Sequence, residues 1–219
     1  MRLALFDLDH TLLDGDSDQL WCDFLIDKGL LDKAIFSAKN LTMAHGYKSG
    51  AVDVQAFCEF YIGTLTLKSP QDWEPLRQEF LSAWVVPRLC GGGIAQIKAH
   101  QANADRVVMT TATNRFITEL TAAHLDIKEL IATEAEIQDG LFTGRTSGVL
   151  NMREGKVRRL LTWCTEQSLN WEQLETWGYS DSINDLPLLE AVTHATVTQG
   201  DPKLRAEAFK RDWPQIDWF

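Results

Sequence analysis

The stretch Leu3-Ala4-Leu5-Phe6-Asp7-Leu8-Asp9-His10-Thr11 decides the fold. Four consecutive apolar residues without polar alternation mark a strand buried on both faces, the habit of parallel sheets covered by helices. The apolar run stops at Asp7. Two carboxylates therefore stand just beyond the strand's carboxyl end, where open α/β sheets bind their ligands. An Asx turn or helix cap accounts for one aspartate, but not for two flanking Leu8 with Thr11 beyond. Alone, the pair stays open between a turn and a site.

Working outward, the same signature recurs. Val107-Val108-Met109-Thr110, Leu130-Ile131-Ala132, the stretch 175–179 and Thr196-Val197-Thr198 read as further strands. Helical patterns over 93–102, 114–124, 155–168 and 184–192 fall between them. That alternation predicts βαβ units and an α/β fold with a doubly wound parallel sheet. Asp139-Gly140, within the stretch 137–144, is a hairpin turn signal. From residue 15 to 86 there is no strand-like run. Leu20, Trp21, Phe24 and Leu25 share a helical face, Asp53 can cap a helix, and Ser69-Pro70 is an N-cap followed by proline. The expected organisation is an α/β core of residues 1–14 and 87–219 with a helical cap, 15–86, inserted in it. Pro87 marks the return to the core. Gly91-Gly92-Gly93 fits neither nucleotide-loop pattern and reads as a loop before a helix.

Composition bounds the partners. With 219 residues, 21 basic and 31 acidic side chains and a net charge of −10, the chain lacks the basic face that nucleic acid or an anionic membrane requires. Cys22, Cys58, Cys90 and Cys164 are scattered without a CxxC pair, which suits a reducing compartment and no zinc site. Asp7 and Asp9 interrupt the first apolar stretch too early for a signal peptide, and no apolar run approaches bilayer length. The chain reads as soluble and cytoplasmic, and its oligomeric state is not legible.

Three more segments carry polar groups at strand or helix ends. Asp181 and Asp185 follow the fourth strand among oxygen-rich neighbours, a set that suits Mg²⁺, although Asn184-Asp185 can equally begin a helix. Thr111 and Asn114 lie at a strand-to-helix junction, where hydroxyls and free N–H groups bind phosphate and where threonine is also an ordinary cap. Lys156 sits at a helix start against the dipole, a sensible place only if it faces an anion.

In this order the four segments resemble the haloacid dehalogenase-like hydrolase superfamily, in its phosphoserine-phosphatase-like branch, over essentially the whole chain. The resemblance implies a Mg²⁺-dependent phosphatase acting on a small phosphomonoester. Asp7 would be the nucleophile that forms an aspartyl-phosphate, and Asp9 the general acid and then base. The metal would fall to Asp7, the backbone carbonyl of Asp9, and Asp181, with Asp185 holding its water shell. Thr111 and Lys156 would bind the phosphoryl oxygens, and Asn114 and Arg115, just past Thr111, would reach the leaving group, although an exposed helix face explains Arg115 equally well. Phosphotransfer to a second alcohol uses the same site. A binding module that had lost turnover would be expected to have lost one of these residues, and all are present. The acidic total does not forbid an anionic substrate, because Mg²⁺ and Lys156 set the local field.

Phosphoserine phosphatases receive the substrate amine on an acidic residue nine positions beyond the nucleophile, which here is Asp16. They hold the substrate carboxylate with a cap arginine, and residues 55–61 contain none. A carboxylate buried without its partner is costly, so phosphoserine fits poorly. An amine-bearing ester without a carboxylate fits better, histidinol phosphate among them, with Trp21, Phe57, Phe60 or Tyr61 against its body. The alternative is that these rings are the cap's own core. Trp218-Phe219 reads as packing.

Overall fold

The computed structural model describes residues 1–49 and 53–219; residues 50–52 of the expected cap lie outside the described residues. The sheet contains β1 (Arg2–Phe6), β2 (Arg106–Asn114), β3 (Glu129–Gln138), β4 (Leu141–Ser147), β5 (Glu175–Ser180), β6 (His194–Thr198) and β7 (Gln215–Ile216). Their order is β4-β3-β2-β1-β5-β6-β7. Every pairing is parallel except β3 with β4, the hairpin expected at Asp139-Gly140.

β1 is central, and its unbroken apolar run follows from that. Leu3 and Leu5 join Val108, Ile131, Leu160 and Leu188 on one face, while Ala4 and Phe6 join Met109 and Ile97 on the other. Alternate side chains thus enter two different cores, so neither face can be polar. The helices α5 (Gly91–Ala102) and α6 (Arg115–His124) cover one face, and α7 (Glu154–Glu166) and α8 (Leu186–Ala191) the other. This is the doubly wound α/β architecture. A further helix, α9 (Pro202–Lys210), packs on β6.

Between β1 and β2 the described residues form no strand of the sheet. They form α1 (Ser17–Asp27), α2 (Lys33–Ser49), α3 (Val54–Ile62) and α4 (Pro70–Phe80), with short 3₁₀ and π turns over Gly63–Leu67 and Leu81–Arg88. Asp53 and Ser69 cap α3 and α4 through their side-chain oxygens. Trp21, Phe24, Trp73 and Phe80 are buried against one another in edge-on and tilted contacts. Trp21 Nε1 donates to Thr64 Oγ1, and Trp73 Nε1 to the Leu65 carbonyl, so each indole N–H is satisfied.

Several elements differ from expectation in length. The second and third strands run on beyond their apolar centres through Asn114 and Gln138. The last helix of the 184–192 pattern begins as a 3₁₀ turn over Ile183–Asp185. Strand β7 was not expected, because two exposed residues carry no pattern. All four cysteines are buried free thiols. Among the described residues no helix is long and apolar enough to cross a membrane.

Candidate active site

The sheet register builds the site. Phe6 pairs with Met109 on one side and Tyr179 on the other, so Asp7, Thr110 and Ser180 come level at the carboxyl edge. β1 is also where the strand order reverses, the position at which such sheets hold ligands. Asp7 N–H continues the ladder to the Tyr179 carbonyl at 3.0 Å. The chain then turns sharply: the Leu8 carbonyl accepts from the N–H groups of Thr11, Leu12 and Leu13. His10 takes up the left-handed region at φ 55°.

Lys156 Nζ donates to Asp7 Oδ1 at 2.7 Å and to Asp185 Oδ2 at 2.6 Å, all three side chains being buried. Ser180 Oγ donates to the same Asp185 oxygen at 2.7 Å. Thr11 Oγ1 lies 3.2 Å from both Asp7 Oδ2 and Asp181 Oδ1, and the Asp181 N–H donates to it at 3.1 Å. Asp9 accepts from the Ser17 N–H at 2.7 Å and from Thr113 Oγ1 at 2.9 Å. These groups open on a cavity of about 650 Å³ whose lining includes Asp7, Asp9, Asp16, Asp18, Phe57, Lys156, Asp181, Asp185 and Phe219.

The arrangement has known counterparts. A family model described as haloacid dehalogenase-like hydrolase matches residues 4–190. The chain belongs to this family. It is 34% identical to the histidinol-phosphatase of Neisseria meningitidis serogroup C (strain 8013) over 222 residues, covering 99% of each chain. A crystal structure of a Bordetella pertussis Tohama I protein with unknown function matches at TM-score 0.96 and 40% identity, covering 100% of this chain and 99% of that one. A substrate-bound phosphoserine phosphatase complex matches at TM-score 0.69 and 15% identity, covering 100% and 93%; that likeness shows the fold alone.

The electrostatics of this haloacid dehalogenase-like hydrolase fit a divalent cation. Asp7 and Asp185 share the one ammonium of Lys156, and Asp181 is linked to Asp7 through the Thr11 hydroxyl. Burial pushes Asp7 up to about 6; Lys156 pulls it down and Asp185 pushes it further up. Burial, then Asp7 and Asp185, raise Asp181 well above the usual carboxylate range. Burial opposes the charge on Lys156, but Asp185 and Asp7 together hold its ammonium above the usual range. Carboxylates repelling one another are short of positive charge, and their all-oxygen donor set is the kind Mg²⁺ takes. Among the described residues no three His, Cys, Asp or Glu side chains converge as a metal cluster. Mg²⁺ binds through one or two carboxylates and keeps several waters, so a looser set suits it.

The other expected residues are placed unevenly. Thr111 is wholly buried, its Oγ1 accepting from the Thr113 N–H, and it is not part of the cavity lining. Asn114 is also buried away from the cavity and caps α6 by accepting from the Ile117 N–H. Arg115 is engaged with Glu134 and the Leu130 carbonyl. Asp16 reaches the cavity while its Oδ1 caps α1 by accepting from the Gln19 N–H. Trp21 and Tyr61 are fully buried packing, whereas Phe57 lines the cavity.

A cluster absent from the sequence reading surrounds Asp9. Ser17 Oγ donates to Thr113 Oγ1 at 3.1 Å, and Thr113 Oγ1 faces both Asp9 Oδ2 and Asp18 Oδ2, at 2.9 and 3.2 Å. One hydroxyl proton thus serves two carboxylates. Burial, then Asp16 and Asp7, push Asp9 up to about 7, and burial with Asp16 and Asp9 raises Asp18. The only sequence signal was the acidic spacing Asp16-Ser17-Asp18, which an N-cap also explains.

Proposed function

We propose that this chain is a Mg²⁺-dependent phosphatase that hydrolyses histidinol phosphate through an aspartyl-phosphate on Asp7. The observation that carries the chemistry is the seat of Asp7, held by Lys156 at 2.7 Å on the cavity wall with Asp9 beside it. Residues 15–86 act as the cap over that site. Asp7, the Asp9 carbonyl and Asp181 would hold the ion, with Asp185 ordering its waters. Bound there, Mg²⁺ offsets the repulsion between carboxylate and phosphate and stabilises the charge of the transferring group.

The chain's own residues then divide the work. A carboxylate oxygen of Asp7 attacks phosphorus in line as the ester oxygen departs, and Lys156 holds Asp7 and the phosphoryl oxygens together. Asp9, raised to about 7, can carry the proton that the leaving alkoxide takes. The same carboxylate, now ionised, takes a proton from the water that attacks the acyl phosphate, and inorganic phosphate leaves.

The substrate assignment rests on the charge of the cavity lining. Asp14, Asp16 and Asp18 line the cavity, and its lining includes Lys156 and Lys203 but no arginine among the described residues. That lining favours a cationic leaving group and offers a substrate carboxylate no bidentate partner. The 34% identity to a histidinol-phosphatase supports the same reading. The test is kcat/KM for histidinol phosphate, phosphoserine, phosphoethanolamine and p-nitrophenyl phosphate, with Mg²⁺ and with chelator. Histidinol phosphate should lead, with activity lost on chelation and in Asp7→Asn. Preference for phosphoserine would overturn the substrate, and turnover surviving Asp7→Asn would overturn the covalent route.

A further inference from the structure

Two features of the sequence take no part in the phosphate chemistry: the Gly91-Gly92-Gly93 run and the aromatic pair Trp218-Phe219. The fold brings them together. A Cβ on Gly92 would stand 2.7 Å from Trp218 Cδ1 and 2.8 Å from its Cγ. One on Gly93 would meet Leu12 Cδ2 at 2.7 Å and Trp218 Cε3 at 3.3 Å. The indole therefore lies directly on the backbone of the first turn of α5, at a distance that only glycine permits at position 92. The crowded atoms there are the root of a rigid ring, which cannot step aside as the end of a flexible chain would.

Three other contacts fix the same segment. Cys90 Sγ donates to the Trp218 carbonyl at 3.2 Å, and the indole tilts against Tyr179 with centroids 5.7 Å apart. With its amide turned so that the oxygen faces the backbone, Gln199 would accept from the N–H groups of Trp218 and Phe219 at 3.0 and 3.2 Å. What this anchoring holds in place is Phe219. The residue is 53% exposed, yet it lines the same cavity as Asp7 and Lys156, which Phe57 also lines from α3.

We propose that Phe219 is an aromatic wall of the substrate pocket, set by the seat of Trp218 on Gly92 and Gly93, and that it selects phosphomonoesters whose alcohol carries a flat ring. The proposal rests on the phosphatase reading and deepens it. A ring on a pinned backbone loses little freedom when a ligand docks against it, so most of the contact is realised as affinity. A flat partner covers its face by offset stacking, which an aliphatic amine cannot do.

The experiment compares Phe219→Ala, Phe219→Tyr and Gly92→Ala with the unaltered chain. The substrates are histidinol phosphate and p-nitrophenyl phosphate, which carry rings, and phosphoethanolamine, which does not. Phe219→Ala should raise KM for both ring-bearing esters by about 3- to 10-fold relative to phosphoethanolamine, the range of one aromatic contact. Phe219→Tyr should restore the ratio. Gly92→Ala, remote from the cavity, should shift it in the same direction as Phe219→Ala. Ring-bearing and ring-free esters weakening equally, or a ratio unmoved by Phe219→Ala, would overturn the wall. Poor turnover of histidinol phosphate with the ratio for p-nitrophenyl phosphate still shifting would instead overturn the substrate assignment. Equilibrium binding of each ester to Asp7→Asn, with and without Phe219→Ala, reads the wall where turnover is lost, and equal affinities there also overturn it.

Discussion

Lys156 Nζ stands 2.7 Å from Asp7 Oδ1, both side chains being buried. The lysine also holds Asp185, so one ammonium serves two carboxylates with Asp181 close by. Removing one partner of a buried ion pair leaves the other uncompensated, at a cost of about 3–5 kcal/mol. Lys156→Met should therefore lower the unfolding free energy by roughly that amount near pH 7.5. It should also lower kcat by about 100-fold or more, the usual loss of a preorganised electrostatic contact. Steady-state kinetics and denaturant melts check both. A kcat within tenfold of the unaltered chain would remove Lys156 from the phosphoryl contact.

The raised carboxylates give stability a definite slope with pH. Asp7 moves from an ordinary value near 3.8 up to about 6, and Asp9 up to about 7. Between about pH 4 and 7 the folded chain holds protons at these sites that the unfolded chain has released. Stability contributed by these groups therefore falls as pH rises through that window. In chelator, the melting temperature should be higher at pH 5.5 than at pH 8, by at least about 3 °C. Mg²⁺ binds only the folded, ionised site, so its stabilising effect should be larger at pH 8 than at pH 5.5. A metal-free melting temperature that rises from pH 5.5 to 8, or no Mg²⁺ effect at pH 8, contradicts this.

Thr113 Oγ1 lies between Asp9 and Asp18 and helps to hold both. Thr113→Val keeps the shape, deletes the donor to Asp9 and Asp18 and removes the Ser17 hydroxyl's contact with Thr113. Loss of a hydrogen bond to the ionised form raises a carboxyl group's pKa. The limb of the kcat/KM profile that reports protonated Asp9 should move to higher pH, with kcat falling about tenfold from lost positioning. A purely structural role would lower stability and leave that limb in place.

How much of this was legible follows from the range of each signal. β1 and its aspartates could be read because a central parallel strand needs an unbroken apolar run and the site begins where it stops. Lys156 could be read because its charge is wrong for a helix start. Thr113 could not, since it shares the Thr110–Asn114 run with threonines that look alike, and only the register of β2 decides which hydroxyl meets Asp9. Asp16 was legible as an acid near the site but not as the cap of α1. The Trp218 seat on Gly92 joins residues far apart in sequence, and such a contact leaves no periodic trace. Trp218 and Phe219 therefore read as packing, although Phe219 reaches the cavity.

Gly155 sits immediately before Lys156, and a Cβ there would lie 2.1 Å from the Leu150 carbonyl oxygen. That oxygen belongs to the backbone, so it cannot move without shifting the turn that opens α7. The turn is already specialised: Arg153 has φ 51°, and the Gly155 N–H donates to the Met152 carbonyl at 2.8 Å. Next to it, fully buried Asn151 ties β2 to β3 through bonds to Thr110 Oγ1 and to the Thr111 and Ile131 carbonyls. Gly155→Ala should therefore displace the start of α7 and draw Lys156 away from Asp7. The expected result is a melting temperature lower by about 5 °C or more, with a loss of kcat approaching that of Lys156→Met. Gly148→Ala is the control: no other atom lies within 4 Å of its added Cβ, although φ is +70°, so backbone strain acts there without steric collision. It should lower stability modestly and leave kcat close to that of the unaltered chain. Equal kcat losses in the two variants would show that the close approach at Gly155 does not position Lys156.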